Sequence, residues 1–182
     1  YSPAGCYRRF MKILYLPKKE GGVTLSPGAF GEQIDENKVY HVSVHFLEAG
    51  SAITAVPGEF MTHYVTEGSM EVTLSGKDGK LIETRTVGVG KGWLKLPAQG
   101  QQVKAEKAST LFIITNSEPL VKEEIFERGK KETLNAAVFN PLSDYTVTKP
   151  WGCENWYVDT DVYVFKGIRM NTGFECSLQL HE

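Results

Sequence analysis

Cysteine is scarce and unpatterned: Cys6, Cys153 and Cys176 show no CxxC spacing. That excludes a disulfide framework or a zinc knuckle and makes a reducing compartment, the cytoplasm, the expectation. No apolar run approaches the roughly 18 residues that span a bilayer, and Tyr1 to Lys18 lacks the build of a secretory signal. Charge of one sign is missing too. Lys and Arg number 20 against 22 Asp and Glu, with no long block, so nothing argues electrostatically for nucleic acid or an anionic membrane. The expected partner is a small molecule or a protein. Helical periodicity is nearly absent: only Pro119–Arg128 offers an apolar stripe (Leu120, Val121, Ile125, Phe126) before Gly129, and a charged edge strand reads almost as well. The chain opens on Tyr, with Met11-Lys12-Ile13-Leu14 reading as a start.

What fills the 182 residues is short strand after short strand. Val39–Phe46 alternates, with Tyr40, Val42, Val44 and Phe46 on one face and His41, Ser43 and His45 on the other. Runs rich in β-branched and aromatic residues follow at 51–56, 60–66, 70–75, 80–87, 92–96, 102–105 and 109–116. Turn residues separate them, with Gly76-Lys77-Asp78-Gly79 as a hairpin tip and Val87–Gly92 as a further turn. The expectation is an all-β jelly-roll barrel, 39–128, after an arm and first strands at 1–38. A polar connection, 129–148, leads to strands at 156–158, 162–169 and 176–181, so 149–182 reads as the leading part of a second β-unit. Two or three strands are too few to stand alone, so this unit should pack on the barrel or swap into a neighbour as a homodimer.

Candidate chemistry is thin. His41 and His45 share a strand face about 13 Å apart, too far for one metal, and read as surface or groove residues. His63, a single histidine in a β-protein, is a ligand-binding candidate set against a hydrogen-bonded core residue. Lys166 interrupts an apolar strand and is the second ligand candidate, although a snorkelling lysine explains it too; Arg169 falls on the opposite face. Glu123-Glu124 reads as a solvated pair. Cys176 reads as a small buried hydrophobe. Trp151 between Pro150 and Gly152 reads as an apolar plug where the connection docks. Gln179 and His181, a Gln-x-His pair on an expected strand, are half of a metal site whose other ligands must come from elsewhere.

Phe60–Ser75 and Gly92–Gly100, with Tyr64-Val65-x-Glu67-Gly68 and Leu96-Pro97-Ala98, resemble the two motif segments of the cupin superfamily. The resemblance implies a jelly-roll barrel. The family's metal-ligand positions fall near Ala55, Pro57, Met61 and Gln102, none an imidazole or carboxylate, so it implies no metal in this first barrel. Lys149-Pro150-Trp151-Gly152-x-Glu154, then Tyr163…Lys166-x-Ile168, then Ser177-Leu178-Gln179-x-His181, resemble the opening of the cupin domain in mannose-6-phosphate isomerases and related nucleotide-sugar enzymes. That implies a divalent metal, zinc foremost, in the second domain of a parent bicupin, with Gln179 and His181 as ligands and a sugar phosphate as substrate. The expectations are therefore two. Either the chain carries the non-catalytic barrel of an isomerase-like parent, or it is a small-ligand-binding or oligomerisation module without turnover.

Overall fold

The computed structural model describes residues 23–25, 29–36, 40–116, 124–127, 130–160 and 163–175. Two strands, the short β1 (Val23–Leu25) and β2 (Ala29–Glu36), precede the eight that form the barrel. These are β3 (Tyr40–Leu47), β4 (Ala52–Ala55), β5 (Met61–Glu67), β6 (Ser69–Gly76), β7 (Leu81–Gly88), β8 (Gly92–Lys95), β9 (Gln99–Ala105) and β10 (Ser109–Asn116). After them come β11 (Glu124–Glu127), β12 (Lys130–Thr133), β13 (Asn140–Pro141), β14 (Tyr145–Lys149), β15 (Gly152–Asp159) and β16 (Val164–Met170). Every pairing is antiparallel.

Sheet order fixes the fold. One sheet runs β13-β8-β5-β10-β3-β2 and the other β1-β4-β9-β6-β7. The chain crosses between them at almost every turn from β3 to β10, which is the double Greek key of a jelly roll. The expected barrel strands are therefore in place, 109–116 as expected and the others shifted by one to three residues at an end, while the strand expected at 176–181 lies outside the described residues. Gly76 to Lys80 closes a hairpin, with Gly79 at φ 76°, a left-handed conformation that a side chain disfavours.

Between the sheets lies a core of Leu47, Ile53, Ala55, Met61, Val65, Met70, Val72, Leu74, Trp93, Val103, Leu111 and Ile113, among others. Each such side chain removed from water contributes roughly 1.5–3 kcal/mol. A second core covers the outer face of the first sheet. There Phe60, Leu94, Leu96 and Ile114 meet Leu134, Val158 and Tyr163, with Tyr40, Val42, Phe112, Tyr157 and Phe165 at its margin. Tyr157, Val158 and Phe165 of the sheet β14-β15-β16 and Tyr163 just before β16 supply part of that cover, with Leu134, Ala136 and Leu142 of the connection, so the second β-unit packs on the barrel of its own chain.

Three expectations change here. Glu124–Glu127 is extended, paired with Lys130–Thr133 in a hairpin. Over those residues the edge-strand reading holds and the helix does not: Ile125 and Phe126, β-branched and aromatic, suit a two-stranded ribbon at least as well as a helix turn. The polar connection contains β12, β13 and most of β14, and it buries Leu134 and Phe139 in the two cores. Pro150-Trp151 is the tip of the β14–β15 hairpin, where Lys149 pairs with Gly152, so Trp151 is a half-buried turn residue and no plug. Gly152 is required there, because a Cβ would sit 1.9 Å from the Arg169 carbonyl oxygen.

Candidate functional site

β5, β8 and β9 bring the barrel's polar interior together. His63 lies opposite Trp93 across the β5–β8 pair, and the two rings stack 4.4 Å apart at 4°. β8 can come this close because its first residue is Gly92, whose Cβ would lie 2.0 Å from the His63 carbonyl oxygen. Trp93 Nε1–H donates to Gln101 Oε1 at 3.1 Å, and Gln101 Nε2–H donates to His63 Nε2 at 2.7 Å. The indole can only donate, so it sets the amide's orientation, and the amide then makes His63 Nε2 an acceptor. The imidazole is therefore neutral, with its proton on Nδ1. Burial holds the His63 pKa down to about 3; the Lys95 and His45 charges add to this and the Trp93 backbone opposes it. Nδ1 makes no well-formed hydrogen bond, although the Trp93 backbone lies close enough to draw the pKa upward.

His45, on β3, also points into the barrel. It is 2% exposed, which corrects the surface or groove reading. That reading treated the apolar face of Tyr40–Phe46 as the only buried one. In fact the Ser43–His45–Leu47 face lines the barrel, while Tyr40 and Val42 meet the second sheet. Ser43 Oγ and His45 Nε2 are hydrogen-bonded at 2.8 Å. Burial first, then His41, brings the His45 pKa to about 4, and its Nδ1 is likewise unpartnered.

Lys95 completes the group. Its side chain is fully buried and donates from Nζ to the Glu59 carbonyl at 2.9 Å. Burial lowers its pKa to about 8 against the opposing pull of the Glu59 charge. Gln99 ties the connecting segment to the barrel: its Oε1 accepts from Leu96 N–H and its Nε2 donates to the carbonyls of Ala136 and Val138.

The outer interface is aromatic and phenolic. Thr62 Oγ1 and the Tyr163 hydroxyl are 2.5 Å apart, and the Tyr64 and Tyr157 hydroxyls are 2.9 Å apart. Burial and then the Tyr157 bond push the Tyr64 pKa up to about 12; burial also raises that of Tyr163. Phe112 and Phe165 stack at 5.6 Å.

Of the residues nominated from sequence, His63 is a sealed core residue held by Gln101 and Trp93. Lys166 sits on β16 with Nζ 3.5 Å from buried Glu154 and 4.8 Å above the Trp156 ring, and Glu154 Oε2 accepts from Trp156 Nε1. Its ammonium is thus engaged within its own sheet. Gln179, His181 and Cys176 lie outside the described residues. At the family's metal-ligand positions, Ala55 and Met61 are core residues and Pro57 and Gln102 are exposed. Gln101 is the inward residue of that pair, since one step along a strand reverses the face. Among the described residues no group of three His, Cys, Asp or Glu could hold a metal. His63 has already committed Nε2, so the barrel's donors do not fit a divalent ion.

A closed jelly-roll barrel with an internally bonded histidine at its centre is the class that fold and site define. No protein-family model matches the chain, and no curated protein matches it in sequence. Solved structures similar to it include cupins. An RmlC-like cupin from Shewanella frigidimarina is 14% identical over 64% of this chain and 93% of its own, with a TM-score of 0.45. KdgF from Halomonas sp. is 15% identical over 52% of this chain and 84% of its own, at 0.45. An oxalate decarboxylase variant from Bacillus subtilis is 19% identical over 52% of this chain, at 0.44, and the matched stretch spans 26% of that enzyme. These are likenesses of fold. Among the described residues no helix is long and apolar enough to cross a membrane.

Proposed function

We propose that the chain is a cupin-type module whose barrel binds or assembles without turnover, within a larger metal-dependent, sugar-phosphate isomerase-like protein. One observation carries the barrel's part: the Trp93–Gln101–His63 relay occupies the buried His63 Nε2 within the barrel's own side chains. A reaction needs a reachable group, and His63 has none of its surface exposed.

The isomerase part rests on the Lys149–Glu154 and Ser177–His181 resemblance alone. A zinc or other divalent ion would there supply Lewis-acid polarisation of a sugar carbonyl. Gln179 and His181 give two of the four or more donors such an ion needs. A homodimer belongs to the same proposal, formed between chains whose second β-units each pack in cis.

Elemental analysis of the purified chain together with its mass in solution tests this reading. The expected result is a dimer in which substituting Gln179 and His181 together removes any bound zinc, iron or manganese. Stoichiometric metal surviving that double substitution would place the ion in the barrel and overturn the reading, as would isomerisation of a sugar phosphate by the chain with both residues replaced.

A further inference from the structure

The barrel wall has a seam. β7 and β13 are end strands of the two sheets, and Phe139, directly before β13, bridges them. Its ring enters the barrel core beside Trp93, the centroids 6.4 Å apart. The loop that carries Phe139 is bonded largely to itself. Asn140 Oδ1 accepts from the Asn135 N–H at 3.2 Å, and Asn140 Nδ2 donates to the carbonyls of Asn135 and Val138 at 2.9 and 3.0 Å. Asn135 Oδ1 accepts from the Ala137 N–H at 2.9 Å, and the Asn135 carbonyl accepts from the Val138 N–H at 3.3 Å. Such a loop keeps its shape without the barrel, the build of a small Ω-loop. What holds it down are side chains of the barrel. Gln99 Nε2 donates to the Ala136 and Val138 carbonyls, Glu83 Oε2 accepts from the Phe139 N–H at 3.3 Å, and the Arg85 guanidinium lies 4.9 Å over the Phe139 ring. Glu83 and Arg85 also pair with each other, and half of the arginine side chain is exposed, so water screens that latch.

We infer that Asn135–Phe139 is a flap that lifts from the seam as one piece and uncovers Trp93. Its anchors are Leu134, buried in the outer core, and Asn140–Pro141, paired with β8. Lifting withdraws one ring from the barrel core and breaks no strand ladder, so it belongs to the low end of the molecule's range of local stabilities. Trp93 donates to Gln101 and Gln101 to His63, so the open flap leaves the relay one indole away from water. The flap goes beyond the binding reading above and is independent of it, being a property of the free chain.

Native-state hydrogen exchange of the full chain, read at the Trp93 indole N–H by NMR, tests the flap. The indole should exchange about tenfold or more faster than the slowest β5 and β10 amides, and its rate should barely respond to low urea, because the opening exposes little surface. Ile53→Val, on the far sheet, should speed those amides about two- to tenfold and leave the indole unchanged. Phe139→Ala should speed the indole about a hundredfold or more. If that variant fails to fold, Glu83→Ala, which removes the acceptor of the Phe139 N–H, should speed it about three- to tenfold. An indole that matches the slowest amides in rate and urea dependence overturns the flap. So does an indole unmoved by Glu83→Ala, or one that Ile53→Val speeds as much as the amides. These outcomes decide the flap alone, whereas the binding reading stands or falls on the metal and turnover results given above.

Discussion

The two faces of the β8-β5-β10-β3 sheet are buried by different means. Its inner face meets the other half of the barrel mainly through aliphatic side chains and encloses a few polar groups held by single specific bonds, as in the Trp93–Gln101–His63 relay. Its outer face meets β14-β15-β16 and the residue before β16 through rings and hydroxyls paired in kind, a half-buried Tyr64 with Tyr157 and a buried Thr62 with Tyr163. The inner face therefore tolerates little, since removing one member leaves another unsatisfied in a dry interior. The outer face should yield by increments. It is a docking surface built on a barrel that already has its own core.

The largest expected break of that contrast is Trp93→Ala. It empties an indole-sized space and orphans Gln101 and His63, for a loss of about 4–5 kcal/mol or failure to fold, read by chemical denaturation. Phe165→Ala should cost roughly 2–3 kcal/mol and act locally: hydrogen exchange should rise in β14–β16 while the barrel amides keep their protection. If the barrel loosens equally, the two faces are one cooperative unit and the contrast fails.

Acid should attack the inner face first. His45 and His63 have folded pKa values depressed to about 4 and about 3 from 6.5, so below pH 6.5 the unfolded chain binds protons that the folded one refuses. Stability is full above pH 6.5 and falls as the pH drops from there toward 4 and 3, by several kcal/mol in total. Unfolding curves between pH 7 and 4 check this, and flat stability over that range would contradict it. Lys95 behaves with a similar sign at the other end. Its folded pKa near 8 lies below the usual 10.5, so a burial cost is carried below pH 8 and relieved as pH rises to 10.5. Lys95→Met should thus stabilise by about 1–3 kcal/mol at pH 7, and the gain should shrink above pH 10. The smallest effect belongs to the outer face: Tyr64→Phe, which deletes the bond to Tyr157, should cost about 1 kcal/mol.

Much of the barrel was legible because half-buried strands alternate and Gly-rich turns punctuate them. The site was not. Alternation in Val39–Phe46 names two faces without saying which is inside, and here both are covered, so the more apolar face turned out to be the outer one. Gln101 was missed by one residue, although exposed Lys104 and Gln102 share a phase that would have turned Gln101, Val103 and Ala105 inward. The relay itself joins residues 8 and 38 apart in sequence, a contact that only the jelly-roll order of β5, β8 and β9 creates. Likewise Leu134 and Phe139 are buried on either side of the segment that Gln99 holds at Ala136 and Val138, a contact that no local pattern announces.

The account turns on a neutral His63 whose Nε2 accepts from Gln101 inside a sealed barrel. Nitrogen-15 imidazole chemical shifts, followed from pH 8 to pH 5, measure this directly. The account predicts a His63 ring protonated on Nδ1 alone throughout that range, with the Nε2 resonance unprotonated; a ring titrating near pH 6.5, or carrying its proton on Nε2, would contradict it.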